Sequence, residues 1–200
     1  MPLVSVVMAT YNGSLYLAQQ MESVVAQSYP NIEIIVVDDC STDNTIEILK
    51  SFQLQYPHIK IIRKQQNLGY IKNFEKGCGL ASGEYIAVCD QDDVWHADKI
   101  IKMQAAIGSY PLIYCDSVLC DEDLQPIGVN ISDRGNCRDY NNPLQQAIFC
   151  RIYGHATLIK RDFLQKVIPF LEVIPHDWWL SYMATLYGGI KYLNEPLVNY

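Results

Sequence analysis

Two periods of apolar residues alternate along the chain, and their alternation predicts the architecture. Val4-Ser5-Val6-Val7-Met8-Ala9 is a β-branched run that ends in the polar Thr10-Tyr11-Asn12-Gly13, after which Leu17, Met21, Val24 and Val25 recur at helical spacing. Ile32 to Val37 is a continuous apolar run, as expected of a strand buried on both faces, and it stops at Asp38-Asp39-Cys40-Ser41-Thr42-Asp43. A helix follows with Ile46, Leu49 and Gln53 or Ile48 and Phe52 as faces, and Ser41 or Thr42 is placed to cap it. Ile59 to Ile62 reads as a third strand, Asn67-Leu68-Gly69 as a turn, and Ile71, Phe74 and Cys78 as one face of a short helix ending near Gly79. Glu84 to Cys89 is a fourth strand and runs into Asp90-Gln91-Asp92-Asp93. The pattern is that of an α/β fold, a mostly parallel sheet with helices on both faces.

Past Val94-Trp95 a helix is expected from Ala97 to Ile107, with Ile100, Met103 and Ile107 on one face, and Leu112 to Cys115 resumes strand character. The regular alternation then breaks. Asp121 to Pro126 reads as a turn between strands, and Ser132 to Asn142, rich in Asp, Asn, Arg and Gly, as a long polar loop. Pro143 to Phe149 predicts a helix, Ala156 to Ile159 a strand and Asp162 to Val167 a short helix. Pro175-His176-Asp177-Trp178-Trp179 opens a helix expected to carry Trp179, Met183 and Leu186 inward. Ile190 to Leu193 and Pro196 to Tyr200 read as closing strands, and the lack of a polar tail marks the chain as a fragment shortened at its C-terminal side.

Composition narrows the classes of function. Half of the 200 residues are apolar, enough for one domain with a substantial core. With 15 basic and 22 acidic residues the net charge is −7, and no Lys/Arg cluster suited to a phosphate backbone is present, so nucleic acid is not an expected partner. Cys40, Cys78, Cys89, Cys115, Cys120, Cys137 and Cys150 lack CxxC spacing, and several lie in apolar runs, so they are expected to be reduced in a cytosolic protein. There is no basic leader, and no apolar run reaches the roughly 18 residues of a membrane span.

Carboxylates gather where the predicted strands end. In a parallel sheet ligands bind beyond the carboxyl ends of the strands, and Thr10-Tyr11, Asp38-Asp39 and Asp90 to Asp93 all fall at that edge. A lone acidic turn reads equally as a solvated helix cap, but polar or acidic clusters at the same edge of three strands are hard to attribute to solubility. Three carboxylates within four residues raise one another's pKa unless a cation lies among them. Mg²⁺ or Mn²⁺, held by one or two carboxylates and by substrate phosphates, suits Asp90-Gln91-Asp92. No GxxxxGK[ST] loop is present, and Gly77-Cys78-Gly79-Leu80-Ala81-Ser82 misses the third glycine of GxGxxG, so neither a P-loop nor a dinucleotide site is supported. His58, His96, His155 and His176 show no zinc spacing, and His155 reads as structural. A metal at Asp92 would stabilise the charge of a leaving diphosphate, which suits a nucleotide-sugar donor. Asp177 is the candidate base for an acceptor hydroxyl; its other role, a cap or first-turn acid of the helix, is compatible with this.

Val4 to Gly13, Ile35 to Thr45, Ala81 to Ile86 and Asp90-Gln91-Asp92 stand in the order of the motifs of glycosyltransferase family 2, which the chain resembles along nearly its whole length. The resemblance implies a single Rossmann-like nucleotide-sugar transferase domain over 1–200, with 1–110 as its nucleotide-binding half and 111–200 as its acceptor and catalytic half. It implies that Thr10, Tyr11, Asn12 and Asp39 surround the nucleobase and ribose, Asp39 accepting the N3–H of a pyrimidine, and that Asp90 approaches the ribose. It places Asp92 on Mg²⁺ or Mn²⁺, Lys72 toward the diphosphate, Asp93 at the turn or the donor sugar, and Asp177 as the base of an inverting single displacement. Asp90 to Trp95 together with His176-Asp177-Trp178-Trp179 is most similar to rhamnosyltransferase-type members. That implies a UDP- or dTDP-sugar donor, dTDP-rhamnose among the choices, and a saccharide or lipid-linked saccharide acceptor in cell-surface polysaccharide synthesis. The setting implied is the cytoplasm, with peripheral association at the inner face of the cell membrane. Two alternatives stay open. A sugar-nucleotide pyrophosphorylase would need a basic, glycine-rich loop where Thr10 to Gly13 carry no Lys or Arg, and a non-catalytic nucleotide-sugar-binding module would share the donor residues.

Overall fold

The computed structural model describes residues 1–135, 137–149 and 152–200. Four apolar runs form its parallel half: β1 (Val4–Thr10), β2 (Ile32–Asp38), β3 (Ile59–Arg63) and β4 (Tyr85–Cys89) lie in the order β3-β2-β1-β4, every neighbouring pair parallel. Parallel neighbours need crossovers, and α1 (Leu17–Val25), α2 (Thr45–Gln55) and α3 (Tyr70–Leu80) supply them. The side chains of β1 and β2 alternate between two cores. Val4, Val6, Met8, Ile34 and Val36 meet Leu17, Met21 and Leu49 on one face. Val7, Ile35 and Val37 meet Phe74 and Cys78 on the other.

The second half extends the same sheet with mixed directions. It contains β5 (Val94–Trp95), α4 (Lys99–Ala106), β6 (Leu112–Cys120), β7 (Pro126–Asn130), α5 (Pro143–Phe149), β8 (Thr157–Lys160), α6 (Arg161–Val167), α7 (His176–Leu186) and β9 (Ile190–Asn199). The order continues β4-β8-β6-β9-β5, with β7 on β6. β8 is antiparallel to both β4 and β6, whereas β6 and β9 are parallel. β5 pairs with the end of β9, Val94 opposite Asn199, which fixes Tyr200 beside the turn that follows β4.

Several expectations are corrected. Neither Ser41 nor Thr42 caps α2, which begins at Thr45: the Ser41 hydroxyl is recruited by Asp38, and Asp43 accepts the Thr45 amide at 3.0 Å instead. α4 begins at Lys99 rather than Ala97. Part of the 132–142 loop is a 3₁₀ turn over Ile131–Arg134, and Tyr140 bridges to Ile190; Asn136 lies outside the described residues. The two closing strands are one, β9, with register shifts opposite Asp116. α7 buries Leu180, Ser181 and Ala184, while Leu186 is exposed. Its phase follows from two polar anchors, the Trp179 indole donating to the Val167 carbonyl and Gln146 of α5 donating to Ser181. Cys40, Cys78, Cys89, Cys115 and Cys120 are free thiols as expected, and Cys150 lies outside the described residues. Among the described residues no helix is long and apolar enough to cross a membrane.

Candidate functional site

The ends of β1, β2 and β4 open into one cavity of about 570 Å³, whose lining includes Thr10, Tyr11, Asp39, Asp90, Asp92 and Tyr200. Five of the residues singled out from the sequence are therefore brought together. Asn12 stands just outside and stitches two loops. It has a left-handed φ of 48°, its amide donates to Ser41 Oγ at 2.9 Å, and its side-chain oxygen accepts the Thr42 amide at 2.8 Å. Gln91 stitches two more, its carboxamide accepting the Tyr11 amide at 2.9 Å and donating to the Tyr11 carbonyl at 3.1 Å. The fit there is close, since a Cβ on Gly13 would stand 2.2 Å from Gln91 Oε1.

Asp39 is 2 % exposed and orders the cavity wall. Its carboxylate accepts the Leu68 amide at 3.0 Å and the Gly69 amide at 2.7 Å, with Lys64 Nζ at 3.2 Å. The Leu68 amide also lies 3.2 Å from the second oxygen, so two backbone amides and one ammonium hold the carboxylate in place. Asn73, also on the cavity wall, donates to the Val37 carbonyl at 3.1 Å.

The acidic turn divides by depth. Asp92 is exposed at the rim. Asp90 is half-buried, and its carboxyl is pushed up to about 7, first by burial and then by the charges of Asp92 and Asp177, with Lys99 opposing. Asp93 is 1 % exposed and lies behind the cavity; burial, then Asp90 and Asp92, drive its carboxyl well above the usual range, and its Oδ2 has no hydrogen-bond partner among the described residues. His155 Nδ1 lies 3.8 Å from both Asp90 Oδ2 and Asp93 Oδ2, and its Nε2 lies 3.0 Å from Ser117 Oγ. Burial, and then the charge of Lys99, lower the His155 pKa to about 3, so the ring is neutral. The serine, histidine and carboxylate line up like a nucleophile relay, but Ser117 is only 1 % exposed and out of a substrate's reach. The ligand atoms of Asp90, Asp93 and His155 lie within 4.8 Å of one another, a set that suits a divalent cation.

Asp177 opens α7 beside this turn. Its Oδ1 accepts the Trp178 amide at 2.8 Å, and burial raises its pKa, opposed by the Trp178 and Gly154 backbone nearby. The first-turn role and proximity to the cavity carboxylates thus coexist. Lys72 is not brought in. Its ammonium pairs with Glu75 at 3.1 Å and Glu172 at 3.0 Å, and it lines a separate open hollow of about 1010 Å³ with Arg63, Lys64 and Lys76. That hollow is larger and receives the end of β3, but Asp39, Asp90 and Asp92 line the other cavity.

Linear reasoning missed His155 and Lys99. No spacing ties His155 to Asp90, because the approach depends on β8 entering next to β4. Lys99 left a trace: it stands four residues before Met103, on the buried stripe of α4.

Comparison with known proteins now bears on this geometry. The family model described as glycosyl transferase family 2 matches residues 5–168. The chain is 44% identical over 98 residues to the dTDP-rhamnosyl transferase RfbG of Shigella flexneri, covering 46% of this chain and 34% of that protein. It is 40% identical over 101 residues to the putative teichuronic acid biosynthesis glycosyltransferase TuaG of Bacillus subtilis, covering 50% of this chain and 40% of the relative. It is 30% identical over 209 residues to an uncharacterized glycosyltransferase of Nostoc sp., covering 98% of this chain and 64% of the relative. The chain thus spans less than two thirds of the length of each of these relatives. Among solved structures, S. aureus TarS 1-349 in complex with UDP-GlcNAc superposes with a TM-score of 0.80 at 19% identity, covering 98% of this chain and 57% of that one. The mannosyltransferase PcManGT from Pyrobaculum calidifontis, in complex with GDP-Man and Mn²⁺, gives 0.72 at 18% identity over 98% of this chain and 55% of that one. These two likenesses concern the fold.

Proposed function

The chain belongs to glycosyl transferase family 2, and from that membership we propose that it is an inverting transferase of the hexosyl type, moving a sugar from a nucleotide-sugar donor to an acceptor hydroxyl. The observation that carries the proposal is that Asp90 and Asp92 line the cavity where three parallel strands end, with Asp177, from far along the chain, near enough for its charge to raise the Asp90 carboxyl. Residues 1–110 serve the nucleotide and 111–200 the acceptor and the proton transfer.

The chain's own residues divide the work. Asp39 meets the N3–H of a pyrimidine, in a wall completed by Thr10 and Tyr11 and held by Asn12 and Gln91. Asp90 meets the ribose, and Asp93, behind the turn, keeps the turn in shape rather than touching the sugar. Asp177 takes the proton of the acceptor hydroxyl as that oxygen attacks the anomeric carbon opposite the leaving diphosphate. Burial raises the Asp177 pKa, which favours a base, and the Trp178 amide on its carboxylate fixes its orientation. The donor set fits a hard divalent ion: a crowded carboxyl at Asp90, an exposed carboxylate at Asp92 and a partnerless buried oxygen on Asp93. Asp92 would hold Mg²⁺ or Mn²⁺ at the rim, and the ion when bound supplies Lewis-acid stabilisation of the diphosphate. Lys72 would serve the diphosphate only by leaving Glu75 and Glu172.

For the donor we propose UDP- or dTDP-sugars, dTDP-rhamnose included. The name of RfbG and the UDP-GlcNAc bound to TarS support a pyrimidine, while the GDP-Man bound to PcManGT makes guanine the comparison to run. The acceptor proposed is a saccharide or lipid-linked saccharide in cell-surface polysaccharide synthesis, at the cytoplasmic face of the membrane. A non-catalytic donor-binding module is the second reading, since the cavity-lining donor residues alone would serve it. Calorimetric titration of UDP-, dTDP- and GDP-sugars with and without Mn²⁺ tests the donor site. Pyrimidine donors should bind, with a metal dependence that Asp92→Ala abolishes. Unchanged metal-dependent binding in that variant overturns the role of Asp92, and donor binding without any hydrolysis or transfer leaves the binding-module reading.

A further inference from the structure

A buried ammonium is costly, and Lys99 sits where the cost is high. It has no solvent exposure, and as the first residue of α4 it faces the positive end of the helix dipole. Two contacts offset that cost. Lys99 Nζ donates to the backbone carbonyl of His155 and lies 3.3 Å from the centroid of the Trp95 ring. Burial nonetheless lowers its pKa to about 8, so packing alone does not account for a lysine on a stripe with Ile100 and Met103.

The hydrogen bond leads to the other side of the site. The His155 carbonyl belongs to the short 3₁₀ turn Gly154–Ala156, whose His155 Nδ1 lies 3.8 Å from both Asp90 and Asp93 and whose Gly154 backbone lies near the Asp177 carboxylate. This turn has no slack. A Cβ on Gly154 would stand 2.8 Å from His176 Nε2, and His176 precedes Asp177 and stacks on Phe74 with ring centroids 4.3 Å apart. We propose that Lys99 is a positioning residue that holds both parts of the site at once: its hydrogen bond to the His155 carbonyl fixes the 154–156 turn, whose His155 ring backs Asp90 and Asp93 and whose Gly154 packs against His176 beside Asp177. The consequence for transfer rests on the reading of Asp177 as the base; the mechanical link does not.

Lys99→Met keeps the length and removes charge and donor, and Lys99→Gln removes the charge but leaves an N–H for the carbonyl. Donor kcat and KM and hydrogen exchange at the Gly154 amide are measured for both. The expected result is a kcat lowered about tenfold or more in Lys99→Met and less in Lys99→Gln, with KM within about threefold and Gly154 exchange accelerated in the same order. Full turnover in Lys99→Met, or Gly154 exchange that does not change, overturns the proposal. If the unaltered protein turns over no donor, the functional reading fails and the exchange data still decide the link. If both variants fail to fold, the unaltered protein decides it: the buried Gly154 amide must be protected from exchange, and an unprotected Gly154 overturns the proposal.

Discussion

Asp90→Asn should make the metal-free protein more stable at pH 8 while impairing its donor site. The Asp90 carboxyl is pushed from 3.8 to about 7 in the fold, so folding at pH 8 requires ionising a carboxyl that its surroundings resist. For an enclosed group that gap would be worth about 4 kcal/mol. The side chain is 38% exposed, so water screens much of the penalty and about 1–2 kcal/mol is the expected share. The direction follows from linkage: the raised folded pKa favours the fold below pH 4, and that advantage is lost as pH rises through about 7. Asparagine mimics the protonated form at every pH. For a chain of 200 residues the gain corresponds to about 2–5 °C in melting temperature at pH 8, shrinking toward zero near pH 4.5. Thermal unfolding in chelator, at both pH values, reads it directly. A variant less stable than the original at pH 8, or a gap that does not change with pH, would refute the charge-crowding account. Added Mn²⁺ should raise the melting temperature of the original protein more than that of the variant.

Asp177→Asn should retain donor binding and lose transfer by about a thousandfold in steady-state assays, and normal turnover would remove it as base. Gln91→Ala removes both hydrogen bonds between the acidic turn and the Tyr11 backbone, at about 1 kcal/mol each, so calorimetry should show donor affinity reduced about tenfold with the fold intact. Gly77→Ala places a Cβ 2.4 Å from Val7 Cγ1 between α3 and β1, and chemical denaturation should show a loss of about 1–3 kcal/mol.

The parallel half was legible because its strands are continuous apolar runs closed by turn residues, and strand ends locate ligands in such sheets. Thr10, Asp39, Asp90 and Asp92 could be placed on that ground alone, and all line the cavity. The second half was less legible. Its strands are short or bulged, and a periodicity cannot say that β8 slides between β4 and β6 or that β9 lies beyond β6. Local competition caused the remaining differences. Asp38 takes the Ser41 hydroxyl before α2 can, and Glu75 and Glu172 take the ammonium of Lys72. On α7 Trp179 and Met183 pack against the core, but Leu186 is 54% exposed while the smaller Ala184 is buried.

Strand direction explains why the proposed base comes from the late part of the chain. β4 ends at the acidic turn, and a parallel neighbour would begin at the opposite edge of the sheet. β8 is antiparallel, with Ala87 opposite Leu158, so the residues just before it, Gly154 to Ala156, meet the residues just after β4. β6 reverses again and β9 follows it in parallel, so β9 ends at the same edge, where Tyr200 stacks on His155 with ring centroids 4.4 Å apart. α7 is the crossover that leads into β9, and a crossover helix begins at the edge where strands end, which sets Asp177 there. One reversal of direction beside β4 therefore brings Gly154, His155, Asp177 and Tyr200 to carboxylates laid down by the parallel half. A single cation buried at the seam, Lys99, touches the His155 carbonyl on one side and faces Asp93 on the other. Changes at that seam should alter turnover before they alter donor affinity, because the nucleotide-facing residues all lie on the parallel side.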